Sequence, residues 1–202
     1  MNSNAFIAGI VLLTLSLNAD AASEQLLQYD DGTPQWLCRA DVYRGTWFHV
    51  QDFLDGSSSF LLSGVELWLY LPEGYSGTFT LSVHSGGSGG PDEVLYDTTL
   101  AAEQLIETLV QFPDSIEVCD NFWIVVSPFE SYLEWPGILG DGTPNSVSHS
   151  FYSMDMVNWE PWTVQGPAAN DYLVRAVGVT QEGQVLLQDT WGAVKRMLDG
   201  ET

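Results

Sequence analysis

The chain has 202 residues, with 27 acidic against five basic side chains and a formal net charge of −22. A field of that sign repels phosphate backbones and anionic lipid, which excludes nucleic-acid binding and electrostatic attachment to membranes. It suits plain solubility, calcium, or neutral partners such as glycans, and the length suits one β-rich domain with a short appendage.

Residues 1–21 carry an apolar run, Phe6 to Leu17, followed by the small-x-small site Ala19-Asp20-Ala21. The run is too short to cross a bilayer and reads as a secretory signal peptide, although Met1-Asn2-Ser3-Asn4 lacks the usual Lys or Arg. A buried N-terminal strand is the alternative. No later segment approaches the length of an apolar membrane span. The mature chain is therefore expected outside the cell or attached to its surface. Cys38 and Cys119 fall within it, and export makes them the candidate disulfide. Its loop of about 80 residues would contribute roughly 4 to 5 kcal/mol on chain-entropy grounds.

Over residues 22–179, short β-favouring runs alternate with clusters of Gly, Pro, Asp and Ser, the pattern of an all-β antiparallel sandwich. Strands are read at 26–29, 36–40, 47–53, 63–71, 78–84, 93–96, 105–112, 122–126, 149–154, 157–160 and 172–179. The clearest is Gly64 to Leu71, where Val65, Leu67, Leu69 and Leu71 alternate with Glu66, Trp68 and Tyr70. One face is core and the other polar-aromatic. Asp31-Gly32-Thr33-Pro34 and Asp141-Gly142-Thr143-Pro144 repeat one tetrapeptide and read as convergent turns. Residues 180–189 read as a linker. Residues 190–202 read as a short amphipathic C-terminal helix, with Trp191, Val194 and Met197 or Leu198 on one face and Thr190 as N-cap.

Several segments together resemble accessory domains of large secreted bacterial proteins. These segments are Tyr29-Asp30-Asp31-Gly32, Ser63 to Tyr70, Asp120 to Val125, Phe151 to Trp159 and Asp171 to Ala176. Such modules are jelly-roll-like β-sandwiches that begin with a Tyr-Asp-Asp-Gly-type strand, and the resemblance covers about Gln28 to Val179. Thr190-Trp191-Gly192-Ala193-Val194-Lys195 is similar to a Trp-Gly-x-x-Lys terminal segment of exported proteins, but here the chain continues to Thr202. The resemblance implies a jelly-roll fold and a surface location, and it carries no catalytic residues.

Motifs for catalysis are weak. Gly86-Gly87-Ser88-Gly89-Gly90 fits the letters of a nucleophile elbow, which needs a helix after it, whereas Pro91-Asp92 and another strand follow. His49, His84 and His149 lack metal-ligand spacing and read as sheet-surface residues. Carboxylate pairs of the glycosidase type can be drawn almost at will in so acidic a chain. Calcium is better motivated, through Asp30, Asp31, Asp141 and Asn145 in turn segments, with capped turns as the plainer reading.

Aromatic residues carry the functional expectation. Tyr132, Trp135, Trp159 and Trp162 lie in or beside loops, and Trp159-Glu160-Pro161-Trp162 sets two indoles around a proline. Flat apolar faces flanked by carboxylates and amides accept the C–H faces of sugar rings. Large aromatics also plug the ends of sandwiches. Trp68 and Tyr70 share both readings, with cover by the C-terminal helix as a third. The reading is a secreted, non-enzymatic binding module for a glycan or a cell-surface protein. An assembly component docking through its aromatic face or C-terminal helix is the alternative, and an uncharacterised hydrolase the second alternative.

Overall fold

The structure, a computed structural model, describes residues 24–38, 41–54, 56, 59–74, 77–102, 108–128, 137–164 and 169–180. The signal peptide, the linker from 181 onward, the C-terminal helix, Tyr132 and Trp135 lie outside the described residues. In chain order the strands begin with β1 (Gln25–Leu27), β2 (Pro34–Cys38), β3 (Tyr43–His49), β4 (Ser59–Leu67) and β5 (Leu69–Tyr70). There follow β6 (Gly77–Ser85), β7 (Val94–Ala102), β8 (Thr108–Cys119), β9 (Asn121–Val126) and β10 (Gly137–Asp141). The last are β11 (Ser150–Ser153), β12 (Glu160–Pro161) and β13 (Val174–Thr180).

These strands make three antiparallel sheets, ordered β1-β13-β4-β8, β2-β10-β5 and β12-β11-β3-β9-β6-β7. The pairing is nested. The hairpin β6·β7 is enclosed in sequence by β4·β8, then by β3·β9, then by β1·β13, and successive pairs alternate between the two larger sheets. That is the wrapping of a jelly roll. Its core lies between the two larger sheets: Phe60, Leu62 and Val65 of β4 meet Leu81 and Val83 of β6 and Phe122 and Ile124 of β9, all buried.

The alternating run from Gly64 behaves as its pattern dictates, since Val65, Leu67, Leu69 and Leu71 are all buried. It also changes sheets. The run leaves β13 and β8 after Leu67 and pairs with β10 from Leu69, while Trp68 donates its N–H to the Leu173 carbonyl at the joint.

Opposite β4 in the first sheet, β13 shifts register between Val177 and Gly178. A Cβ at Gly178 would collide with the Leu61 carbonyl oxygen and stand 2.8 Å from the Phe60 ring. Because a sheet backbone cannot step aside, Gly178→Ala is expected to lower stability by about 1 to 3 kcal/mol, read as a drop in melting temperature. An unshifted melt would show that the shift in register does not need glycine.

Three sequence expectations change. Cys38 and Cys119 are free thiols, so the disulfide is absent. Cys38 is buried in the small sheet, whereas Cys119 is exposed at the end of β8 in the four-stranded one. The strand read at 157–160 shrinks to Glu160–Pro161, because Asp155 accepts the N–H groups of Val157 and Asn158, both at 2.9 Å, and holds the preceding residues in a turn. These bonds, chiefly that from Asn158, keep the Asp155 carboxyl at about 2. Finally, β10 is a strand that the sequence conceals, with two glycines in five residues. The Cβ space at Gly137 is filled by Leu37 and that at Gly140 by Trp162, so local β-propensity yields to packing.

Candidate ligand-binding site

The two Asp-Gly-Thr-Pro turns meet. With Asp141 paired to Pro34 across β10 and β2, Thr143 donates its hydroxyl to Asp31, which also accepts the Thr33 N–H at 2.8 Å. Asp141 accepts N–H groups from Asp171 (3.0 Å) and Asp31 (3.3 Å), and Asn145 donates to Asp171. Asp30 accepts the Gly32 N–H at 2.9 Å and a two-pronged contact from Arg175, with Nη2 at 2.7 Å and Nε at 3.0 Å.

The four residues expected to hold calcium therefore gather in one cluster, and their oxygens face internal donors. Among the described residues no group of three or more His, Cys, Asp or Glu is arranged to hold a metal ion. Asp171 is the member that sequence reasoning missed. It is one acid among 27 acidic residues, and only the fold shows that it is fully buried at the centre. Burial pushes its carboxyl up to about 6, against the hydrogen bonds from Asn145 and Ser150 that hold it down.

The outward face of the Gly64–Leu71 run is part of the same construction. Arg175 donates to Glu66 at 2.5 Å, its guanidinium lies 5.6 Å from the centroid of the Trp68 ring, and the Trp68 indole donates to Glu66 at 3.4 Å. Trp68 is thus engaged internally, while Tyr70 is exposed.

Of the described loop tryptophans, Trp159 packs on Trp123 with ring centroids 5.2 Å apart, and its indole donates to the Met156 carbonyl at 3.2 Å. Gly90 lies against its ring. It fastens the Gly86–Gly90 loop, a hairpin connection from β6 to β7 whose Gly87 carbonyl accepts the Trp123 indole N–H at 2.9 Å. No helix follows Ser88, so the nucleophile-elbow geometry is not present.

The histidines are more than surface decoration. His149 stacks on Tyr29 at 3.5 Å, and burial lowers its pKa. His49 pairs with Asp52 at 2.8 Å. The His84 ring is buried and lies 2.8 Å from the Ser82 hydroxyl.

Trp162 has a different setting. It lines a cup of about 260 Å³ at the place where the end of β2 and the start of β3 meet the end of β11. Arg44 and Tyr152 are cross-strand partners there. Tyr152 also faces Glu160, which accepts its hydroxyl at 2.6 Å. The Trp162 backbone N–H donates to the Ser150 carbonyl at 2.8 Å, and the indole ring lies 4.7 Å from the ring of Tyr172. The missing Cβ of Gly140 makes room for the indole.

Buried Cys38, Tyr172 and Arg44 form the inner surface of the cup, and Asp41, Val42 and the exposed Met154 its rim. Burial pushes the Cys38 thiol up to about 12, so it stays neutral and presents an apolar floor. The site is thus an open cup walled by aromatic rings, with an uncharged thiol at its floor.

These features define a jelly-roll sandwich with an aromatic cup at one end of its sheets. No protein-family model matches the chain, and no curated protein matches it. Among solved structures, the clostridial cysteine protease Cwp84 after propeptide cleavage gives a TM-score of 0.52 at 11% identity, over 78% of this chain and 40% of that one. A second structure contains the cysteine protease and lectin-like domains of Cwp84, a surface layer associated protein of Clostridium difficile. It gives 0.47 at 10% identity, over 78% of this chain and 36% of that one. The chain thus spans less than half the length of either, and the likeness to the first shows a shared fold. No helix among the described residues is long and apolar enough to cross a membrane.

Proposed function

We propose that the protein is an exported, non-enzymatic binding module that recognises a glycan through the cup, with the Trp162 ring as its stacking face. The carrying observation is the arrangement of Trp162, Tyr152 and Met154 around an open volume of about 260 Å³. Aromatic walls of this kind hold the C–H faces of sugars, while neighbouring polar groups fix orientation. The Asp41 and Glu160 carboxylates stand beside the rings to accept hydroxyls. Tyr132 and Trp135 remain candidate stacking residues on sequence grounds.

Binding without turnover accords with a cup whose thiol is held neutral and whose lining does not include the Ser82–His84 pair. A surface location accords with the signal-like N-terminus and with the description of Cwp84, which shares the fold, as surface layer associated.

The test is retention on a panel of immobilised polysaccharides, followed by tryptophan fluorescence. Retention on at least one member is expected, with Trp162→Ala weakening it tenfold or more and Met154→Ala weakening it less. Absence of retention together with unchanged fluorescence across the panel would overturn the reading.

A further inference from the structure

Resting on the glycan reading, we infer that the cup receives a terminal sugar through a methyl group, as carried by a 6-deoxyhexose or an N-acetylhexosamine. Size gives the first argument. The cup's 260 Å³ lies below the roughly 300 to 1,000 Å³ of clefts that enclose drug-sized ligands, so it seats one ring and not a length of polysaccharide.

Wall chemistry gives the second. The Cys38 thiol is neutral, Val42 and Met154 contribute alkyl and thioether groups, and the Trp162 and Tyr172 rings pack against each other. The polar atoms nearby are engaged or out of reach: the Tyr152 hydroxyl donates to Glu160, and Arg44, 2% exposed, donates from Nη1 to the Val42 carbonyl at 3.3 Å and keeps its Nη2 buried beneath the lining. A hydroxymethyl group pushed into this lining gives up water without finding an equal partner. A methyl group gives up nothing. The hydroxyls of the same ring then point outward, toward Asp41 and solvent.

A hydrophobic pocket rejects an added hydroxyl only moderately, so the preference should be on the order of 10- to 100-fold. The experiment titrates the full chain with matched monosaccharides, L-fucose against L-galactose and N-acetylglucosamine against glucose, with galacturonate as an anionic control, and reads tryptophan fluorescence. In at least one pair the methyl-bearing sugar is expected to bind 10- to 100-fold tighter. Val42→Thr, which places a hydroxyl at the rim with little change of volume, should narrow that gap, and Met154→Ala should weaken both members equally.

Equal binding within both pairs, or a preference for galacturonate, overturns the inference and leaves glycan binding standing. Polysaccharide retention without a response to any monosaccharide also overturns it. Loss of both responses is instead the failure of the glycan reading itself.

Discussion

Replacing Asp30 with alanine is expected to destabilise the protein by about 3 to 5 kcal/mol, because it leaves a buried guanidinium without its principal counter-charge. For a chain of this size that corresponds to a fall of roughly 6 to 20 °C in melting temperature. Arg175 is 8% exposed and Asp30 5%, and two nitrogens of the guanidinium reach both carboxylate oxygens. Glu66 takes the third nitrogen but is itself partly open to solvent, so it cannot replace a carboxylate on the inner side. Asp30 also caps the turn through the Gly32 N–H, and this bond is lost in the same change. The double variant Asp30→Ala with Arg175→Met, which removes both charges, should recover much of the loss. Equal destabilisation by Glu66→Ala and Asp30→Ala would show that the inner pair has no special weight.

The second large effect is a pH dependence. Asp171 is fully buried and its carboxyl titrates at about 6, raised first by burial and further by the charges of Asp141 and Asp30. The folded state therefore binds this proton more tightly than the unfolded chain does. Stability from this group is fully present below its unfolded value near 4 and is lost as pH rises through about 6. A displacement of that size corresponds to about 3 kcal/mol.

Asp141, also raised by burial, acts in the same direction. Asp31 acts in the opposite one, since the Thr143 hydroxyl holds its carboxyl below the usual range, and its contribution disappears only in stronger acid. His149 and His84, whose pKa values burial lowers, also oppose Asp171, losing stability as pH falls below their ordinary value near 6.5. The Asp171 contribution is therefore read as the difference in melting temperature between wild type and Asp171→Asn, which should favour wild type more at pH 5 than at pH 7.5. Measurement in high salt separates this from general repulsion at a net charge of −22. Asp171→Asn should flatten the slope between pH 4.5 and 7. A slope unchanged in that variant would place the titrating group elsewhere.

Where the sequence spoke, it spoke through periodicity. Val65, Leu67, Leu69 and Leu71 could be placed in the core from alternation alone, because a strand has one inward face whatever its neighbours do. The turns were readable from Asp31-Gly32 and Asp141-Gly142, since their chemistry is local. Nothing local joins them, and their contact across 110 residues depends on β2 meeting β10. The same limit applies to the site. Trp159 and Trp162 stand three residues apart with the same side chain, yet one fastens a hairpin and the other lines a cup, because β12 lies between them. Cys38 drew notice only as half of a candidate disulfide, and neither it nor Arg44 nor Tyr172 signalled a pocket, because they become a lining only through the packing of β2, β3 and the segment before β13.

The nested pairing has a consequence for the order in which the molecule is made. Strand β13 is the partner of both β1 and β4, so the four-stranded sheet cannot close until residue 180 has been synthesised. Within the nested set only the innermost hairpin, β6 with β7, joins neighbours in the chain, and each later pairing spans a longer separation at a larger entropic cost. The fold is thus completed from the middle outward, and Arg175 reaches Asp30 only when the two ends of the domain are brought together. A chain built in this way remains open throughout its emergence, the state in which a polypeptide can still be threaded through a narrow channel before it folds.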